Sequence, residues 1–307
     1  MSSNVISPSI DQAKLLTFEK NFEKLAQQKD SLLLSSPAIS FMPIKGVSHI
    51  SRLGRTELVD VSGIRNPEKQ FAQMQNDNRR TTNSRYTKTF LVDNYDAAVQ
   101  LITDPTSDLF TQLTYAKNRQ ADRTIITAAG ANVIVGAPDT AGTSTTFAND
   151  GGLTVDGTSS FTYANVLTKV TRNFKNNEVL ANGITFAMSA NEEYSLKQDD
   201  KVINNDYTNY RPVNDGQIGR LDGHNFVVFA GTDTGVISIT DPILPEASGV
   251  RTNYAMAPDA IAFGMEVGRL DVTRSATHVN SWEITIDVYF KAVRKEGVKV
   301  QKITSTI

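Results

Sequence analysis

From Trp282 to Val293 the chain alternates. Trp282, Ile284, Ile286, Val288, Phe290 and Ala292 share one parity, and Glu283, Thr285, Asp287, Tyr289, Lys291 and Val293 share the other. Successive side chains of an extended strand point to opposite faces, so a period of two specifies a half-buried strand of about 40 Å. Trp282 is expected to anchor its buried face. Gly297 permits a bend, after which Val298 and Val300 open a second strand with Lys299, Gln301 and Lys302 outward.

Helical periodicity appears in three places. From Asp11 to Lys29, Leu15, Phe18, Phe22 and Leu25 fall three and four apart, opposite Lys14, Glu19, Lys20, Glu23, Lys24 and Gln28. A helix this short is marginal alone in water, so it predicts an arm docked on its own domain or on a neighbouring molecule. Asp104-Pro105-Thr106-Ser107 reads as a capped helix start, with proline in the first turn, where its missing N–H costs nothing. The rod that follows runs about 35 Å to Ala129 and is expected to stop at Gly130 as a left-handed terminator. Leu109, Leu113 and Ala116 form one apolar stripe and Phe110, Ala121, Ile125 and Ala128 an adjoining one; Arg119 and Arg123 project from the other side. The third face is Tyr163, Val166, Leu167, Val170 and Phe174. A buried strand, Gly183 to Met188, follows it. Ser189 with Glu192 then makes a capping box, and Gly216 to Gly231 is a turn-rich segment feeding another buried strand. The fold class is α+β.

Between Pro37 and Val92 the chain is strand-like at both ends and polar in the middle. Over residues 42–90, nine Lys or Arg stand against four acids, an excess of five. A long hairpin with so few core residues is not stable alone, so it must lie on its own body or reach onto another molecule. Residues 130–160 hold six glycines and many Ser and Thr, and predict a flexible surface loop or hairpin. Asp139, Asp150 and Asp156 in that stretch lack the interleaved order of a calcium loop.

Net charge is -2, which argues against a surface that coats nucleic acid. Zero cysteines remove disulfide scaffolds, thiolate metal sites and thiol nucleophiles. Apolar runs stay far below the roughly 20 residues of a membrane span, so no membrane is expected as partner, and synthesis in a reducing cytoplasm is. The catalytic layouts are missing too: no G-x-S-x-G, no phosphate loop, no G-x-G-x-x-G after a strand and no H-E-x-x-H. Glu192-Glu193 and Asp199-Asp200 are adjacent pairs, whose side chains diverge. His224 and His278 read as satisfied or exposed histidines. The expectation is no enzyme, no catalytic residue, no metal and no cofactor.

The order of the pieces carries a resemblance. Leu91 to Gly130, Phe18 to Ser31, "GITFAMSANEEYSLKQ", "GQIGRLDGHNFVVF" and "WEITIDVYFKAVRKEGVKVQKI" together resemble the Hong Kong 97-type major capsid proteins of tailed phages, from Phe18 to Ile303. The resemblance implies an N-terminal arm (1–36), an extended hairpin loop with flanking strands (37–92), a peripheral domain with spine helix and Gly/Thr-rich loop (93–159), an axial domain (160–255) and closing peripheral strands (256–307). It implies a subunit that self-assembles into hexamers and pentamers, forming an icosahedral head around double-stranded DNA. The implied location is the virion, after assembly in the host cytoplasm. A separate scaffolding protein, a portal protein and DNA held by weak non-specific contact are the implied partners. Under this reading Leu15, Phe18, Phe22 and Leu25 dock the arm, and Arg65, Arg79, Arg80 and Arg85 bind carboxylates of the adjacent subunit, since guanidinium forks do so in bidentate fashion. Arg119 and Arg123 either face the interior, offsetting phosphate charge, or serve surface solubility. The alternatives are an encapsulin-like compartment shell and, from another class, a carboxylate-using hydrolase.

Overall fold

The computed structural model describes residues 27–45, 48–65, 68–69, 76–93, 106–136, 141–179, 182–203, 213–214, 217–218, 220–231, 242–279 and 281–307. The arm face of Leu15, Phe18, Phe22 and Leu25 and the Asp104-Pro105 cap lie outside them. In chain order the elements are β1 (Ile39–Phe41), β2 (Ser48–Leu53), β3 (Asn76–Thr81), β4 (Ser84–Asp93), α1 (Thr106–Gly130), β5 (Val133–Val135), β6 (Thr143–Thr145), β7 (Leu153–Asp156), α2 (Thr168–Asn176), β8 (Thr185–Ser189), α3 (Ala190–Lys197) and α4 (Asp200–Ile203). They continue with β9 (Val213–Asn214), β10 (Gln217–Ile218), β11 (Arg220–Leu221), β12 (His224–Phe229), β13 (Glu246–Ala247), β14 (Val250–Met256), β15 (Ile261–Arg274), β16 (Ser281–Arg294) and β17 (Val300–Thr306).

The chain forms two compact units: residues 1–31, 84–121 and 265–290 make the first, and residues 32–83, 122–264 and 291–307 the second. In the first, β4 pairs antiparallel with β16 from Ser84↔Phe290 to Asp93↔Ser281. The alternation holds in part: Ile284, Ile286, Val288 and Phe290 are buried and Glu283, Thr285 and Tyr289 half-buried, but Asp287, Lys291 and Val293 of the other parity are buried too and Ala292 only half-buried. Trp282 is not the expected anchor. It sits at the outer end of the strand opposite Val92 and is 40% exposed.

The second unit is built on the sheet β11-β12-β8-β14-β17-β7, with β13 added to β14. Every residue of β8 is buried, as a strand covered on both faces requires. Around it pack Val166, Leu167, Val170 and Phe174 from the π-helical turn Tyr163–Leu167 and α2, with Ile184, Phe186, Met188, Leu196, Ala255 and Ile303. Two tight turns set the register. Asp222-Gly223 joins β11 to β12 and Ser248-Gly249 joins β13 to β14, each pair with both residues at positive φ, the two-residue geometry that matches strand twist. The last strand departs from the expectation that grouped it with the long peripheral strands: β17 lies between β14 and β7. Its Gln301, expected outward, is buried and donates to Val170 O at 3.1 Å, satisfying an amide that the sheet interior would otherwise strand.

The Gly-rich stretch is also more ordered than expected. β5 and β6 form a hairpin, and β5 pairs with β3, giving the sheet β2-β3-β5-β6. Gly130 ends α1, but not in the left-handed region. Its reason is steric: a Cβ there would overlap the Tyr254 hydroxyl. Asp122 on the same helix is buried and accepts the N–H groups of Leu32 and Leu33 at 3.0 and 3.2 Å.

The capping box forms as read, Ser189 and Glu192 bonding reciprocally at the start of α3. Glu192 is buried, receives Ser305 Oγ and lies 3.3 Å from Arg251, which also donates to Glu246 at 2.7 Å. Burial pushes the Glu192 carboxyl up, but the Ser189 and Ser305 hydrogen bonds and the Arg251 charge outweigh it, leaving the group below its ordinary value. Burial pulls His224 down, against the opposing charge of Asp222; its Nε2 meets Thr171 Oγ1 at 3.0 Å. Both shifts make the folded state take up protons less readily than the unfolded chain. The expected outcome is a thermal midpoint that falls in two stages on acidification. The first begins near pH 6.5, where the unfolded histidine titrates, and the second lies below about pH 4.5. In melting curves against pH, His224→Gln should flatten the first stage and leave the second.

Candidate functional site

Four of the nine hairpin cations are paired within the chain. Arg52 pairs with Asp77 across β2 and β3. Arg55 reaches Glu57 at 3.1 Å and Glu178 at 3.0 Å. Arg85 on β4 donates to both oxygens of Asp287 on β16 at 2.8 and 2.7 Å and lies over the Tyr289 ring, although its side chain is 64% exposed. The Asp287 hydrogen bond raises Arg85 above its ordinary value, and Arg85 in turn holds Asp287 low. Exposed pairs of this kind contribute about 0–1 kcal/mol each.

Arg79 corrects the sequence expectation outright. Its side chain is fully buried, so it is not presented to another molecule. It forms a bidentate pair with Asp150 in the turn between β6 and β7 and donates to Arg294 O at 2.8 Å. Arg294, at the end of β16, donates its Nε–H to Asp150 Oδ2 at 3.0 Å, the oxygen that Arg79 Nη1 also reaches, and donates to Ala129 O and Ala131 O at 2.8 and 2.9 Å. Those carbonyls close α1, where a cation is favoured by the helix dipole. The Phe147 ring lies 4.9 Å from Arg294 and 4.3 Å from Lys302, and a Cβ on Gly297 would run into the Asp150 backbone. Sequence reasoning missed this cluster because Asp150 sits among glycines and threonines, and nothing in spacing reveals two arginines from 71 and 144 residues away. Arg80 is half-buried on β3, in register with His49 and Ile134.

The outward side chains of the hairpin are mixed: Glu57, Asp60, Glu68 and Lys69 are exposed, and so are several aliphatic ones. Leu53, Leu58, Val59 and Ile64 are exposed, Leu58 completely, and Arg65 lies beside them, also exposed. Such a run of uncovered aliphatic side chains marks a contact surface. In the first unit β15 adds Met265, Val267 and Leu270, with residues 265–270 exposed on both faces of the strand, and Val279 is exposed in the turn that follows. Arg119 donates to Gln27 Oε1 at 2.6 Å and Gln28 O at 3.5 Å. Arg123 is half-buried.

The acidic pairs do not converge. Glu192 is committed to the Arg251 network, and Asp199 accepts Tyr163 N–H at 2.8 Å. Asp199 and Asp200 line an open recess of about 610 Å³ with Ser160, Phe161, Thr162, Ser195 and Gln198. Among the described residues no group of three or more His, Cys, Asp or Glu is placed to hold a metal ion, and no helix is long and apolar enough to cross a membrane.

No curated protein sequence matches the chain. Solved structures do. The chain is similar to a head protein of Helicobacter pylori bacteriophage KHP40 (TM-score 0.67, 7% identity, 94% of each chain covered). It is similar to a subunit of the bacteriophage PhiM1 mature capsid (TM-score 0.66, 12% identity, 94% of this chain and 91% of that one). It is also similar to a Mycobacterium phage Che8 chain (TM-score 0.63, 13% identity, 93% and 95%). At these identities the likeness establishes the fold, which is the Hong Kong 97-type capsid fold. The family model for phage capsid proteins matches residues 10–306, almost the whole length, and the chain therefore belongs to the phage capsid protein family.

Proposed function

We propose that this chain is the major subunit of a phage head, closing hexamers and pentamers into an icosahedral shell around double-stranded DNA. The observation that carries the reading is the family match over residues 10–306. In this assignment the sheet around β8 with α2 and α3 is the axial domain, the long strands with α1 form the peripheral domain, and β2–β3 with its loop is the extended hairpin. The near-neutral chain suits a container that must surround nucleic acid without gripping it, so contact with DNA is weak and non-specific. A separate scaffolding protein and a portal protein are its other proposed partners. Its place is the virion, reached from the host cytoplasm, and it performs no catalysis.

The hairpin joint follows from the side chains that are left over. With Arg52, Arg55, Arg79 and Arg85 engaged in their own chain, the exposed cations outside those pairs are Lys45, Arg65, Lys69 and Lys88. Leu53, Leu58, Val59 and Ile64 supply the area, and covering one leucine contributes about 2 kcal/mol. Many such small terms, summed over the neighbours of each subunit, hold a shell while leaving every single contact reversible.

The purified protein should form closed shells, or hexamer and pentamer rings, in negative-stain microscopy; discrete globular monomers or dimers at all concentrations would sink the reading. Leu58→Asp should weaken the joint about thirtyfold, the equivalent of about 2 kcal/mol, and cut shell yield accordingly. Arg65→Ala and 1 M salt should each change yield by less than about threefold. Deleting residues 1–30 should leave a folded subunit that assembles poorly, read by circular dichroism and sedimentation.

A further inference from the structure

The root of the hairpin is attached to its own body in an uneven way. β2 and β3 pair along six residues, from Ser48↔Thr81 to Leu53↔Asn76. By contrast β3 pairs with β5 at only Arg79↔Val135 and Arg80↔Ile134, extended by Gly136 N–H to Asn78 O at 3.0 Å. A ladder that short resists little. The side chain at the same position supplies the rest: Arg79 enters the interior and meets Asp150, which also holds Arg294 and, through it, the end of α1.

The charge count of this cluster is informative. Two guanidinium groups share one carboxylate, and Arg79 Nε and Arg294 Nη2 are buried with no acceptor among the described residues. Burial pulls Arg294 below its ordinary value even though Asp150 opposes the shift. Buried ion triads of this kind are often no more stable than a packed apolar trio, while removing one member is costly. Such a cluster is therefore poorly explained as a stability device. What it does have is direction: a planar fork accepts a carboxylate in one orientation, and Asp150 has no freedom to slide because Gly297 abuts its backbone.

We propose that Asp150 is a positioning residue for assembly, fixing the root of the hairpin at β3 against the end of β16 and the closing carbonyl of α1. The consequence for assembly rests on the capsid reading above; the placement of the root does not.

The test is hydrogen exchange of the unassembled subunit, followed by assembly. Asp150→Asn keeps the side-chain shape and removes the charge. Arg79→Lys is the milder second variant, keeping a cation that cannot hold Asp150 and the Arg294 carbonyl together. In both, amides of Ser48–Leu53 and Asn76–Thr81 should exchange at least tenfold faster, while Thr185–Ser189, Val250–Met256 and Val300–Thr306 keep their protection. Shells from these subunits should be fewer and irregular. Unchanged protection of the hairpin overturns the proposal. So does equal loss across the second unit, or failure of both variants to fold, because the triad would then be general core. If the unaltered protein forms no shells, the capsid reading fails, and the exchange result still decides the role of Asp150.

Discussion

One carboxylate accepts hydrogen bonds from two arginines, and four pieces of chain meet there. Asp150 joins β3 through Arg79 and β16 through Arg294, and Arg294 continues to the last carbonyls of α1. Each of these elements has its own local reason to form: alternation, a capped helical stripe, a hairpin register. None of those reasons states where the elements should sit with respect to one another. Hydrophobic burial is non-directional, and many packings of the same apolar faces would have similar energy. A buried fork with fixed bond angles removes that degeneracy. The second polar cluster, Arg251 with Glu192, Glu246, Ser189 and Ser305, does the same for the other sheet, tying the N-terminus of α3 to β13, β14 and β17.

The first cluster takes Arg79 out of the hairpin's exposed charge, and Arg52, Arg55 and Arg85 are paired along the strands. Aliphatic side chains of the same hairpin, Leu53, Leu58, Val59 and Ile64, are left uncovered. For a protein that closes a shell this division is useful. Ion pairs made in cis are insensitive to whether a neighbour is present, so the subunit keeps its shape before assembly. Apolar side chains gain only when covered, so their contribution appears at the joint and nowhere else.

The sequence was informative where one short stretch decides the outcome. The period of two from Ile284 to Phe290, the Ser189–Glu192 capping box, the buried strand at Thr185–Ser189 and the Asp222-Gly223 turn were all readable, because each depends on residues fewer than a dozen apart. Three readings went astray for one shared reason. Arg79 looked like a surface cation because its partner is 71 positions away. Gly130 looked like a left-handed stop because the Tyr254 hydroxyl that needs its missing side chain lies in another strand. β17 looked like a continuation of the long strand because nothing local reveals that β14 and β7 flank it. Local pattern sets the elements; distant side chains set their roles.

The hairpin shows why a count of charges does not by itself give a mechanism. Counting nine cations against four acids over residues 42–90 describes composition, not exposure. A guanidinium paired at 0% exposure exerts almost no pull on a neighbour, whereas a fully exposed leucine does so as soon as it is covered. Ranking the two effects therefore turns on burial. Ionic steering across exposed pairs is screened within about 8–10 Å at physiological salt. The aliphatic contribution has no such screening and scales with area. On these magnitudes the proposed joint draws on Leu53, Leu58, Val59 and Ile64 more than on the paired arginines of the same hairpin.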